Sequence, residues 1–218
     1  MGEWIGYLYL ILQGAEVTAC LTVLGCLLAF PMAFVAGLGR LSCFFAVRSL
    51  ATIYVEFFRG TSIFVQLFWV FFVLPLFGLE LSPFTVGVVV LGLNVGAYAA
   101  EVVRGAIQAI PRSQREACIA LNLTRYQSMR HIIIPQGFVV MLPTFGNNAI
   151  ELLKATAVVS VISLADMTFQ AQLVRGQTGS TAFPFFTILL IYFAFAMLIS
   201  FGFKRLERHI SRGLDGVR

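Results

Sequence analysis

"EACIALNLTRYQSMRHIIIPQG", residues Glu116–Gly137, sets polar and basic side chains between two long apolar stretches. Its local punctuation reads as helix, tight turn, helix. Ser113-Gln-Arg-Glu116 fits a capping box, in which the serine oxygen accepts from an orphan amide and the glutamate reaches back to the cap's own amide. Thr124-Arg-Tyr-Gln127 fits a second one. Asn122, between them, is the non-glycine type that best tolerates a left-handed turn. Pro135 restricts the residues just before it and marks 131–134 as a helix end. By pattern alone, Ile119, Leu121, Met129, Ile132 and Ile133 beside Arg115, Arg125 and Arg130 describe an amphipathic hairpin resting on an anionic membrane surface.

The surroundings are those of a membrane protein. Of the 218 residues, 59% are hydrophobic and 11% charged, and the mean hydropathy is +0.91. A soluble domain carries roughly 25% charged residues. No basic N-terminal region with a short apolar core and a small-residue cleavage site is present, so the first span is expected to direct insertion and the mature chain to be the whole chain. Cys20, Cys26, Cys43 and Cys118 form no C-x-x-C pair and read as small packing residues, neither a disulfide framework nor a zinc site. The net charge of +5 resides in short loops, where it sets orientation rather than binding nucleic acid.

Apolar runs at 17–39, 62–78, 84–103, 137–153 and 184–203 predict five transmembrane helices in an all-α polytopic fold. The second and fourth are short and are expected to be completed by flanking helix such as Leu50–Phe58. "ATAVVSVISL" (155–164) is apolar but too short to span, and reads as a re-entrant segment packed inside protein. Arg40 and Arg48, then Arg104, Arg112, Arg115, Arg125 and Arg130, then Lys204, Arg205, Arg208, Arg212 and Arg218 all fall on one side if the chain alternates, while the opposite loops hold only Arg175. The N-terminus is therefore expected outside, and the quoted stretch and the C-terminus inside.

The spacing in the quoted stretch resembles the EAA loop of permease subunits of ATP-binding-cassette importers, E-A-A, three residues, G, nine residues, I-x-L-P. Glu116-Ala117-Cys118, Asn122, Ile132, Ile134 and Pro135 stand at those offsets, with Cys118 for alanine, Asn122 for glycine and Ile134 for leucine. The resemblance implies a type I importer permease fold over a single domain, 1–218, with a cytoplasmic coupling loop at 104–136. It implies that Arg115, Glu116, Ala117, Asn122, Ile132 and Pro135 serve coupling to a separate ATPase subunit. It further implies a second permease, identical or homologous, an extracytoplasmic solute-binding protein, and a place in the bacterial inner membrane. The sequence has no G-x-x-x-x-G-K motif to cradle phosphates. ATP and Mg are thus expected on the partner, with no cofactor and no catalysis on this chain.

"FFRGTSIFVQLFW" (57–69), "NVGAYAAEVVRGAIQAIP" (94–111) and "ELLKATAVVSVISLADM" (151–167) are similar to the polar amino-acid uptake permeases. Ser62 where that branch has proline, Ala157 where it often has serine, "VLPLFGLELSP" and "LADMTFQAQLVRG" resemble the ectoine/hydroxyectoine permeases.

Ionisable groups at membrane depth usually face a path or a partner. Glu151 and Lys154, one turn apart beside Asn147, Asn148 and Thr156, suit the two charges of a zwitterion, or else form an internal i, i+3 ion pair. Asn94 and Tyr98 line a path or bond between helices. Glu101 with Arg104, and Glu56 with Arg59, read as structural ion pairs, and Glu16 as a solvated residue at the outer end of the first span. His131 and His209 have no metal-ligand company. Two rival functions remain: an ion-gradient-driven secondary transporter, which would show a longer chain with inverted repeats, and a membrane scaffold, which needs no polar cluster at membrane depth.

Overall fold

A computed structural model describes the backbone of residues 2–212 and the side chains of 4–210. Arg218, counted above among the basic residues of the tail, lies outside them. Helix α1 (Gly2–Gly39) is followed by α2 (Phe45–Gly60) and α3 (Ile63–Phe68), which runs on through a π-helical turn at Trp69–Val73 and a 3-10 turn at Leu74–Phe77. Helix α4 (Pro83–Ala109) leads into α5 (Arg112–Ala120), α6 (Arg125–Ser128) and a π-helical Met129–Ile133. Then come α7 (Ile134–Ala155), a 3-10 segment Thr156–Ile162, α8 (Met167–Thr178) and α9 (Ala182–Arg212).

Three of these helices are long and apolar enough to cross a membrane: Trp4–Gly39, Pro83–Ala109 and Ala182–Ile210. Five crossings result when each of two bent helix pairs counts as one span. The predicted second span is therefore no straight helix completed by Leu50–Phe58. The chain bends by 104° between Phe45–Gly60 and Ile63–Phe77, because Thr61 (φ −118°, ψ 152°) and Ser62 (φ −70°, ψ 133°) are extended.

Helix α1 begins well before the predicted residue 17. Gly14 and Glu16 break the apolar run without breaking the helix, and Gly14 has a packing reason. A Cβ there would meet the Asp166 carbonyl oxygen at 2.7 Å, so only glycine lets α1 cross the entry to α8 so closely. The early turns of α1 bury Ile11 and Ala15 against Met167, Ala171, Val174 and Ile188.

Helix α4 is the central post. One end packs Val86, Val90, Leu91 and Val95 with Leu21, Leu67, Leu152 and Val159. The other packs Ala99, Val103, Ala106 and Ile107 with Ala33, Ile133, Met141 and Phe145. The segment Thr156–Ile162 is a short, half-buried 3-10 helix that turns at Ser163 (φ 59°), and it lies at the 53° bend before α8. Around the outside, α9 leaves Phe186, Leu189, Leu190, Phe193, Met197 and Leu198 uncovered, an apolar face suited to lipid.

Pro135 does not end a helix. It lies in the first turn of α7, and the preceding turn is π-helical, with the Ile134 amide donating to the Met129 carbonyl five residues back. The wider turn makes room for the proline ring, which in a regular α-helix clashes with the carbonyl four residues earlier.

Candidate functional site

Two regions gather the polar residues singled out in the sequence. The first is the α5–α6 hairpin. Helix α5 starts at Arg112 with Pro111 as its cap and no capping side chain, so Ser113 sits inside the first turn and its predicted box with Glu116 does not form. Proline, already extended at φ −54° and ψ 143°, sets the entry to the helix instead.

The other end follows the sequence reading closely. The Leu123 amide donates to the Cys118 carbonyl (3.0 Å) and the Asn122 amide to Ile119 (2.9 Å), the pair of bonds that defines a Schellman ending. Asn122 occupies its left-handed position at φ 52°. Thr124 then opens α6 with a complete capping box, accepting from the Gln127 amide (3.3 Å) while Gln127 accepts from the Thr124 amide (2.9 Å).

Arg115 donates to the Ile107 carbonyl at 2.9 Å, tying the hairpin back to the last turn of α4. Arg125 reaches the Cys43 sulfur at 3.3 Å, tying it to the α1–α2 turn. Glu116 and Ala117 are exposed, as are Ile119, Leu121 and Tyr126. Ile132 is half-buried and Pro135 exposed. The hairpin is thus pinned at its base and presents an outer surface of apolar side chains, exposed arginines and the single carboxylate of Glu116.

The second region lies along α7. Its uncovered residues from Val140 onward are Val140, Pro143, Thr144, Asn147, Glu151 and Lys154. These positions recur at helical spacing and make one stripe about 21 Å long. Glu151 and Lys154 are both exposed, and among the described residues neither joins an ion pair, so the internal i, i+3 pair is absent. Beside Lys154 an open groove of about 520 Å³ is lined by Ala157, Phe185, Tyr192 and Phe193.

The other path candidates are not on this stripe. Thr156 is fully buried and donates to the Leu153 carbonyl at 2.7 Å, with the Tyr192 hydroxyl 3.4 Å away. Asn148 is buried with its Nδ2 unpartnered. Asn94 is buried in an amide lock at the α2–α3 bend, where its Nδ2 donates to the Phe58 carbonyl (3.0 Å) and to Gln66 Oε1 (3.1 Å). Gln66 in turn donates to the Phe58 carbonyl (3.1 Å) and to Thr61 Oγ1 (2.7 Å). These bonds satisfy backbone groups that the bend frees from the helical ladder.

Tyr98 is partly exposed, with the Arg59 guanidinium 5.4 Å from its ring centre. Arg59 does not pair with Glu56. Its nearest carboxylate is Glu101 at 3.9 Å, which also binds Arg104 at 2.7 Å and Arg40. Glu56 pairs with Arg40 at 3.2 Å. The expected Glu101–Arg104 pair is thus one arm of a larger cluster joining α1, α2 and α4.

Three residues of consequence carried no assigned role in the sequence reading: Gln66, Arg40 as a partner of Glu101, and Asp166. Asp166 is fully buried and caps α8 by accepting from the Thr168 (3.1 Å) and Phe169 (3.0 Å) amides. Its position two residues beyond a short apolar run was a legible N-cap signal.

Comparison with known proteins bears on what such an arrangement serves. A family described as "Binding-protein-dependent transport system inner membrane component" matches residues 25–212. A probable amino-acid ABC transporter permease protein of Sinorhizobium fredii is 41% identical over 216 residues, covering 96% of this chain and 91% of that one. The glutamine transport system permease protein of Escherichia coli is 34% identical over 203 residues, covering 92% and 93%. A crystal structure of an amino acid ABC transporter with histidines superposes with a TM-score of 0.88 at 35% identity, covering 95% of this chain and 97% of that one. With its bent spans, its helical hairpin and a family match over most of its length, the chain belongs to the inner-membrane components of binding-protein-dependent transport systems, as a multi-pass permease of the amino-acid branch.

Proposed function

We propose that this permease forms the path of an ATP-driven importer for a polar amino acid or an amino-acid-like compatible solute, with ectoine or hydroxyectoine as the substrate. The observation that carries the reading is the uncovered polar stripe of α7. A row holding Thr144, Asn147, Glu151 and Lys154 is costly against lipid and suits a hydrated route for a small zwitterion. Glu151 offers an anion to the substrate's amidinium or ammonium group, and Lys154 a cation to its carboxylate.

In this reading the N-terminus is outside, the C-terminus inside, and the whole of 1–218 is one domain whose loop, 104–136, lies in the cytoplasm. An ATPase subunit docks on Glu116, Ala117 and the neighbouring apolar side chains. Arg115 and Asn122 hold the hairpin in shape, and Ile132 and Pro135 carry its motion into α7. ATP and Mg bind to that partner, and this chain contributes no catalytic group and no cofactor. A solute-binding protein delivers the substrate on the outer side to a pair of permeases. The choice of ectoine rests on the likeness of Ser62, Ala157 and their neighbouring segments, since the relatives' names speak of amino acids and glutamine.

Reconstituting the permease with its ATPase and binding protein in liposomes tests the proposal. Labelled ectoine should enter only with ATP, and excess hydroxyectoine should compete while excess glutamine does not. Competition by glutamine alone would replace ectoine with an amino acid. Uptake independent of ATP would overturn the importer reading.

A further inference from the structure

The last turns of α9 carry a basic cluster that neither the path nor the hairpin uses. The apolar run 184–203 is about 30 Å long as a helix, the thickness of the hydrocarbon core, so Lys204 begins at headgroup depth. Lys204, Arg205, Arg208 and His209 are all exposed there, and with Phe201 they line an open cleft of about 650 Å³. Glu207, the acid among them, is half-buried, and among the described residues no ion pair joins it to any of these bases. Snorkelling cations at a helix end are ordinary by themselves, but these adjoin a second feature.

A groove of about 380 Å³ lies between α1 and α9, walled by Val23, Leu27 and Phe30 on one side and by Ile199 and Leu206 on the other, with Ala149 of α7 also lining it. Its one hydroxyl, that of Thr22, donates to the Thr18 carbonyl at 2.8 Å and leaves the groove apolar. Gly202 and Leu206 line both the groove and the basic cleft, so the two are continuous. The space beside Gly202 is open, since a Cβ there would meet nothing within 4 Å.

We propose that groove and cleft together seat one anionic phospholipid, with an acyl chain between α1 and α9 and the phosphate on Lys204, Arg205 and Arg208. Each half of the site answers to one half of that molecule. The groove opens at hydrocarbon depth, where acyl chains are the solvent. The cleft offers unpaired cations at headgroup depth, where a guanidinium binds phosphate through two parallel N–H bonds. A soluble anion fits the cleft and leaves the groove empty, while a neutral lipid fits the groove and leaves the positive charge unanswered. A lipid of net negative charge satisfies both. Seated there, it adds to the Phe30–Phe203 contact, 6.2 Å between ring centres, in holding α9 to α1.

The test uses the complete importer, purified in a neutral detergent and titrated in turn with dioleoyl phosphatidylglycerol and dioleoyl phosphatidylcholine, the lipid retained being read by native mass spectrometry. Phosphatidylglycerol should be held about tenfold more tightly than phosphatidylcholine. Arg205→Ala with Arg208→Ala should abolish that preference. Gly202→Phe fills the groove, enters open space and leaves every charge in place, and it should weaken phosphatidylglycerol binding about tenfold. Arg48→Ala with Arg112→Ala, the same charge removed from other exposed positions, should leave binding within twofold. Excess inorganic phosphate should displace no lipid.

Equal affinity for the two lipids overturns the proposal without recourse to any variant. So does binding that survives either the arginine pair or Gly202→Phe, or that falls equally when Arg48 and Arg112 are replaced, since net charge alone would then account for it. Displacement by inorganic phosphate would make the cleft a seat for a free anion, and retention of neither lipid would mean that protein covers the groove; either result ends the lipid reading.

Discussion

Two charge clusters of this molecule each set a glutamate near basic side chains and end in opposite conditions. Around Glu101, three arginines from α1, α2 and α4 converge on one carboxylate, which is only 21% exposed. Every charge there has a partner within the chain. On α7, Glu151 and Lys154 are close enough in sequence to pair and do not. The first cluster has used its bonding capacity to fasten α2 and α4 to the turn that ends α1. The second holds its capacity in reserve. In a membrane protein that difference sets charges neutralised within the chain apart from charges left to water or to another molecule.

Removing the acid from each cluster's logic should have different readouts. Glu101→Ala leaves Arg40, Arg59 and Arg104 without their shared carboxylate. Breaking a buried pair costs about 3–5 kcal/mol, and partial exposure with the remaining Glu56–Arg40 contact brings the expected loss to about 2–3 kcal/mol. For a chain of this size that is about 5–10 °C in the midpoint of thermal unfolding in detergent. An unchanged midpoint would show that the cluster fastens nothing.

Lys154→Met should do the reverse. A charge-assisted contact to a substrate carboxylate is worth about 1.5–3 kcal/mol, so uptake should fall by about 10- to 100-fold while the unfolding midpoint stays in place. If the midpoint fell as far as for Glu101→Ala, the contrast between the clusters would collapse, and Lys154 would be a structural residue.

The sequence made the turn chemistry most legible, because those signals are local. Asn122 was identified as the left-handed residue and stands at φ 52°, since an asparagine between two helical segments has few other uses. That 155–164 forms no long helix of its own was readable from its length. The apolar runs were countable, but the 104° bend was not. It depends on Gln66 and Asn94, 28 residues apart, which meet only after α4 has packed. Composition likewise placed Arg40 among the orientation signals, while its actual partners are Glu56 and Glu101 on other helices. Of the path candidates, helical spacing grouped Asn147, Glu151 and Lys154 correctly. It could not tell that Asn94 and Thr156 turn inward, because burial depends on which neighbour covers each face.

The smallest effect tests the two capping boxes that looked equivalent in the sequence. Ser113 and Thr124 both precede a Glu or Gln by three residues, yet only Thr124 caps, with both reciprocal bonds present. Ser113 is the second residue of α5, behind Pro111. Replacing a capping threonine by alanine typically costs about 1 kcal/mol, so Thr124→Ala should lower the unfolding midpoint by about 2–4 °C. Ser113→Ala has no cap to lose and exchanges serine for the best helix former, so its midpoint should hold or rise by a few tenths of a kcal/mol equivalent. A larger loss for Ser113→Ala than for Thr124→Ala would mean that α5 starts at Ser113 after all. Glu116 would then be engaged at the cap of α5, and the outer surface of the hairpin would lose its one carboxylate.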